Sequence, residues 1–334
     1  MGHQLEPQDD RLHATGSERN WNESRYIDFY DPRLRLGGWF RLGNRVNEGH
    51  AEVSAVLYLP DGRLACRFTR PAITQSLDQA GGLHFHIVRP FEHATVHFAD
   101  EMSLLPDSAS LLDPKRALGE SPRAPCDIRL DMHGQGLRST LGFDQDHITQ
   151  IYVPGQNHFH FQNLVRVSGT VRVGDETYAF EGRGARDQSW GPRNWHAKRW
   201  LRWLTGAVDD RFGFMLTRTV SWDQQLHKRG GFVWEDGRFH VVDGLEIRTV
   251  RTPLQFQDTV DVVARSGERS WHIRGEALSH VPLRHRRKEP DGTESLLRNV
   301  KSPMRWTLEN GTAAWGFTEH QDLMVDGVPA GAPE

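Results

Sequence analysis

Gly182-Arg183-Gly184-Ala185-Arg186-Asp187-Gln188-Ser189-Trp190-Gly191-Pro192-Arg193-Asn194-Trp195 is the stretch on which the reading of this chain turns. Its glycines permit close backbone approach. Each Trp brings a large apolar area and one N–H that wants a partner. An Arg-Asp step beside Trp is expensive to bury unless it is paired or used. The sequence on both sides reads as β-strand, so the stretch lies where two β units meet. In an extended conformation Asp187 and Ser189 share one face, and Arg186, Gln188 and Trp190 share the other. Only one set then faces a given cavity unless a bulge intervenes, and Gly184 is the place for one.

Working outward, residues 51–59 alternate, meet the turn Pro60-Asp61-Gly62-Arg63, and restart at 64–68 as a hairpin. Residues 83–88 and 94–98 are short strands split by Arg89-Pro90, and 101–125 reads as a long loop with a helical turn. Residues 164–173 end at Gly174-Asp175-Glu176, and 177–182 return as a second hairpin that runs straight into the opening stretch. Beyond it, 211–220, 230–235, 238–242, 245–250, 259–265, 270–278 and 305–315 are strand-like, and only 197–208 carries a helical apolar period. Short strands with turns every ~8–12 residues imply an all-β sandwich or barrel. A length of 334 residues points to two such domains. The expected division is a flexible tail over 1–20, one domain over 21–165 and a second over 166–330.

Hydrophobic content is low at 37%, but 11 Trp and 10% aromatics supply enough buried area for a core. A net charge of −3, from 41 basic and 44 acidic residues, argues against nucleic acid or a membrane surface as an obligatory partner. Cys66 and Cys126 alone make no disulfide framework. Residues 1–20 lack the apolar core of a secretory signal, and no apolar run approaches membrane-spanning length, so a cytoplasmic protein without an integral membrane segment is expected.

Trp21-Asn22-Glu23-Ser24-Arg25-Tyr26, then Asp31, Gly37-Gly38 and Arg41, together with Arg186-Asp187-Gln188-Ser189-Trp190-Gly191-Pro192-Arg193, resemble the AttH-like proteins. These are two-domain calycins related to the carotenoid 1,2-hydratases (hydroxyneurosporene synthases). The resemblance runs from about Trp21 to about Val325. It implies two lipocalin-like β domains side by side and a site for an apolar small molecule in or between the barrels. The chemistry it implies includes hydration of isoprenoid double bonds, with cofactor-free cyclases and pericyclases among related proteins. The family's usual motif is similar to Arg-Asp-His-Ser-Trp-Gly; here Gln188 stands at the His position.

Three constellations carry candidate chemistry. Protonating an alkene needs a carboxylic acid kept neutral by an apolar surround, and aromatic faces to stabilise the cation. Arg186-Asp187 with Trp190 and Trp195 supply those groups; the alternative is that Arg186 and Asp187 are structural pins. His84-Phe85-His86 and His158-Phe159-His160 each put two imidazoles on one face of a strand. They suit a metal if they converge. Otherwise His158 or His160 serves as a general base or polar hook, or all are simply satisfied histidines. Trp21-Asn22-Glu23-Ser24 offers Glu23 as a second carboxylate, or Trp21 as a plug for one barrel end.

The resulting expectation is a cofactor-independent lyase, hydratase or isomerase acting on an isoprenoid-like, polycyclic or aromatic substrate. Asp187, His158, His160 and Arg186 would be catalytic. Trp190, Trp195, Trp21, Glu23, Gln188, Arg193 and His86 would bind substrate, and no metal or cofactor is assigned. A non-catalytic calycin holding a hydrophobic ligand and a metalloenzyme built on the His-x-His steps are the alternatives.

Overall fold

The computed structural model describes residues 5–73, 77–134, 140–141, 159–288 and 292–332. The described chain is almost entirely antiparallel β-sheet and divides into two compact units, with the break after Arg193.

The first unit contains β1 (Trp21–Asp31), β2 (Leu36–Arg45), β3 (His50–Tyr58), β4 (Leu64–Thr69), β5 (Gln79–Ala80), β6 (Leu83–Arg89), β7 (His93–Leu105), β8 (Arg123–Gly134), β9 (Thr140–Leu141), β10 (Phe159–Val173) and β11 (Glu176–Pro192). They are hydrogen-bonded in the order β4-β3-β2-β1-β11-β10-β8-β7, and β4 pairs again with β7 through Leu64↔Leu105 and Cys66↔Ser103. That last ladder closes the sheet on itself, and β6 and β5 continue the path beyond β7. Alternate residues, among them Ile27, Phe29, Phe40, Leu42, Val53, Leu57, Val165 and Val167, point inward and form the core.

The second unit contains β12 (Lys198–Ala207), β13 (Phe212–Ser221), β14 (His227–Glu235), β15 (Arg238–Val241), β16 (Gly244–Arg251), β17 (Gln257–Ser266), β18 (Arg269–Ala277), β19 (Val281–Lys288), β20 (Glu294–Leu308), β21 (Ala313–Val325) and β22 (Val328–Pro329). Its order β14-β13-β12-β21-β20-β18-β17-β16 repeats that of the first unit. Val242 N–H donates to the Gly231 carbonyl at 2.9 Å and extends the β14–β15 hairpin by one rung. Leu204, Phe214, Leu216, Val262, Met304 and Trp306 fill its interior. The two-calycin fold expected from the sequence is what the chain adopts.

Four details differ from the sequence reading. The division falls at 193/194 rather than 165/166, because β10 and β11 complete the first ring by pairing with β8 and β1. Residues 5–20 are not a loose tail: a short 3-10 turn at Pro7–Asp10 places Asp10 out of solvent. Residues 198–207 form β12, since the ladders to β13 and β21 override the local helical period. The 101–125 loop is shorter than expected, because β7 runs on to Leu105 and the helix Pro114–Glu120 leads into β8.

Candidate functional site

β11 passes through the opening stretch without interruption. Its register holds from Trp21↔Pro192 to Tyr30↔Arg183 on one side and from Phe159↔Trp190 to Val173↔Glu176 on the other. Gly184 therefore makes no bulge in these ladders. A Cβ there would lie 1.8 Å from the Asp28 carbonyl oxygen, so this glycine lets β1 and β11 approach. With the strand extended, the candidate residues split between its two faces.

On the core side, Arg186 is buried and donates to Asp10, through Nη1 to Oδ2 at 3.2 Å and through Nη2 to Oδ1. Asp10 also accepts from the Phe91 N–H, and Arg186 lies 5.3 Å from the Phe161 ring centre. Gln188 donates to the Arg11 carbonyl at 2.8 Å and to Glu23 Oε1 at 2.9 Å, and accepts from Arg25 Nε at 3.2 Å. Two donors and one acceptor on a single terminal group are what an amide offers and an imidazole does not. Glu23 also receives the His13 N–H and sits 2.9 Å from His13 Nδ1, and the His13 ring stacks on Trp190 at 3.6 Å. Trp21 lies at the same end, with a Cβ on Gly16 only 2.4 Å from its ring. Arg186, Gln188, Glu23, Trp190 and Trp21 thus bind the N-terminal segment across one end of the first barrel.

The opposite face carries Asp187, Ser189, His160 and Gln162. His160 Nε2 stands 3.6 Å from Asp187 Oδ1, and its Nδ1 stands 3.4 Å from Gln162 Nε2. Both side chains keep some exposure, 10% for His160 and 19% for Asp187, whereas Gln162, Ser24 and Ser189 are buried. Ser24 and Ser189 share a hydrogen bond at 3.1 Å. Tyr26 donates to Asp28 Oδ2 at 3.1 Å, while Asp28 Oδ1 accepts the Ala185 N–H at 2.9 Å. Tyr26 and Trp39 stack at 6.4 Å, giving the same face an aromatic section. Along it, Arg41 donates to Glu52 at 3.0 Å. Burial pushes the Glu52 carboxyl up, but Arg41, Arg45 and Arg70 outweigh it and hold it at about 2. This face pairs an imidazole and a carboxylate that retain solvent contact with a frame of satisfied polar groups and aromatic rings. Such a pair can move one proton and stabilise the imidazolium that results.

The remaining predicted residues lie elsewhere. Trp195 belongs to the second unit and stacks on His285 at 4.3 Å. Arg193 is half-buried, and its N–H donates to the Asn20 carbonyl at 2.9 Å. His84 and His86 are exposed on β6, while β10 with His160 is separated from β6 by β8 and β7. His84, His86 and His160 therefore do not converge, and the four-histidine metal reading does not hold; His158 lies outside the described residues. Cys66 and Cys126 are free and buried, and burial pushes their thiols up to about 12 and about 11. Sequence reasoning passed over Asp10, His13 and Gln162. For Gln162 the alternation after His160 was an available signal, whereas nothing local marks a tail residue as the partner of a strand 176 positions away.

The second unit has its own buried polar end. Arg202 is fully buried, donates twice to Asp322, and also donates to the Gly331 carbonyl at 3.2 Å, while Gly331 N–H donates to Asp322 at 3.0 Å. The C-terminal segment therefore binds this barrel as the N-terminal segment binds the first. His320, directly across from Arg202, is held well below its ordinary value by burial first and by Arg202 and Arg251 next. On the other face of β21, burial pushes Glu319 up, but Lys301, Gln321 and Lys198 together hold it at about 2.

The family model for a domain of unknown function, DUF7064, matches residues 6–324. The chain belongs to this family. No curated protein matches the chain in sequence. Among solved structures, that of CghA superposes with a TM-score of 0.56 at 12% identity, covering 94% of this chain and 90% of CghA. A protein assigned as AttH from Nitrosomonas europaea gives 0.53 at 14% identity over 95% of this chain and 96% of its own. Kievitone hydratase from Nectria haematococca gives 0.54 at 9% identity over 90% and 88%. At these identities the likeness is one of fold, and the AttH-like resemblance of the motif is borne out at that level for this DUF7064 member. Among the described residues no helix is long and apolar enough to cross a membrane.

Proposed function

We propose that the chain is a hydratase, lyase or isomerase that works on an apolar small molecule by acid–base chemistry, with His160 and Asp187 as its proton-transfer pair. The observation that carries this reading is the 3.6 Å approach of His160 Nε2 to Asp187 Oδ1, on part-exposed side chains, with Gln162 on the other ring nitrogen. Gln162 holds Nδ1, His160 Nε2 exchanges a proton with Asp187, and Asp187 delivers it to or removes it from a substrate carbon or the water that adds to it. Arg186 takes a supporting part, holding the tail on the far side of the same strand. Similarity in fold to a hydratase supports the class of reaction as an analogy. The resemblance to AttH-like proteins, with the Tyr26 and Trp39 rings on the same face, supports an isoprenoid-like, polycyclic or aromatic substrate.

The test is incubation of the purified full chain with a panel of isoprenoid and prenylated aromatic alkenes in isotopically labelled water. Mass spectrometry would follow the incorporation of oxygen-18 or deuterium. Incorporation that disappears in Asp187→Asn and His160→Gln supports the proposal. A compound that binds and returns unlabelled from the wild-type chain points instead to a carrier of hydrophobic ligands.

A further inference from the structure

His93 and His133 lie directly opposite each other on β7 and β8, and Asp131 sits two residues before His133, on the same side of the strand. Their neighbours Ala94, Val96, Leu130 and Met132 are buried, so the three side chains stand on the outer wall of the first barrel. The two rings are stacked, with centres 4.5 Å apart and planes 11° from parallel. His93 Nε2 is 2.6 Å from Asp131 Oδ1, and His133 Nε2 is 3.3 Å from Asp131 Oδ2. One donor atom from each residue falls within 4.8 Å of the others.

We propose that His93, Asp131 and His133 form a binding site for a divalent transition-metal ion of the zinc type. Two imidazoles and a carboxylate are a donor set that zinc accepts, with a water completing the coordination. Bonds of ~2.1 Å at tetrahedral angles put donor atoms roughly 3.4 Å apart, a spacing the three donors reach from their present 2.6 Å, 3.3 Å and up to 4.8 Å by small side-chain rotations. The β7–β8 ladder fixes both histidines before any ion arrives, which lowers the ordering cost of binding. The side chains are 25%, 49% and 45% exposed for His93, Asp131 and His133, leaving an approach from solvent and a free coordination position. Arg166 faces His133 from β10, and that neighbouring cation opposes the ion and sets a moderate affinity. The cluster is on different strands from the His160–Asp187 pair, so an ion there acts as a clip between β7 and β8, independent of the proposed chemistry.

The experiment is a zinc titration of the chelator-stripped full chain by calorimetry and against a chromophoric zinc indicator, repeated with cobalt(II) for its visible spectrum. The control is the double substitution His84→Ala/His86→Ala, which removes the exposed histidine pair of β6. The expected result is one zinc per chain at micromolar affinity, weakened at least about tenfold in His93→Ala and in His133→Ala and unchanged in the control. Zinc should also raise the melting temperature of the wild type and the control, but not of the two variants. Unchanged affinity in His93→Ala or His133→Ala overturns the proposal, as does loss of binding in the His84/His86 control. Absence of binding up to about 1 mM zinc overturns it too.

Discussion

Asp10 and Arg186, 176 positions apart, form an ion pair buried at one end of the first barrel. The arginine of the Arg-Asp-Gln-Ser-Trp-Gly stretch therefore fastens the N-terminal segment, and its neighbour Asp187 is left to the opposite face of the strand. One dipeptide serves two tasks because successive side chains on a strand point in opposite directions.

Removing one member of that pair leaves the other charge buried without a counter-charge. Asp10→Ala should lower unfolding stability by about 3–5 kcal/mol, read from denaturant melts. The double variant Asp10→Leu/Arg186→Met should recover most of the loss. A single variant as stable as wild type would show that the pair is dispensable.

The proposed proton-transfer pair makes a contrasting prediction. Asp187→Asn keeps the shape of a side chain that is 19% exposed, so its melting temperature should stay near that of wild type. Turnover of a labelled alkene should fall by about 10²–10⁴. Retained turnover in a folded Asp187→Asn protein would remove Asp187 from the chemistry.

Gly184 is needed for the approach of β1 and β11. Gly184→Ala would bring its Cβ to 1.8 Å from the Asp28 carbonyl oxygen, so the ladder has to part, and a loss of more than about 2 kcal/mol is expected. Gly119→Ala, in the helix Pro114–Glu120 with nothing within 4 Å of the added carbon, should be neutral or slightly stabilising. Equal melting curves for the two variants would contradict this account.

Glu319 carries an acid-dependence. Its carboxyl is held at about 2 in the fold, below its ordinary 4.5. A depressed folded value stabilises the protein above the unfolded value, and that stabilisation is lost as pH falls from about 4.5 toward 2. Its size is on the order of 3 kcal/mol. Stability measured against pH should therefore drop through this window in the wild type, and Glu319→Gln should flatten the drop. A parallel slope in the variant would place the acid-sensitivity elsewhere.

The alternation of residues 51–59, the turn at Pro60-Asp61-Gly62-Arg63 and the hairpin at Gly174-Asp175-Glu176 were legible because strand period and turn chemistry are local. The division of the candidate residues between the faces of β11 was legible for the same reason, and the structure keeps it. The helical period over 197–208 misled because pairing with β13 and β21, both distant in sequence, decided the conformation there. The approach of His160 to Asp187 and the fastening of Asp10 to Arg186 were beyond sequence reading, because each needs the register between strands or segments that local pattern does not set. By itself the sequence determined that this protein is two all-β units and that the arginine and aspartate of one strand point to opposite faces, since period and turns act over a few residues. Which side chains meet on that strand, and that each end of the chain binds its own barrel, was decided only by tertiary structure, through ladders that join residues far apart in the chain.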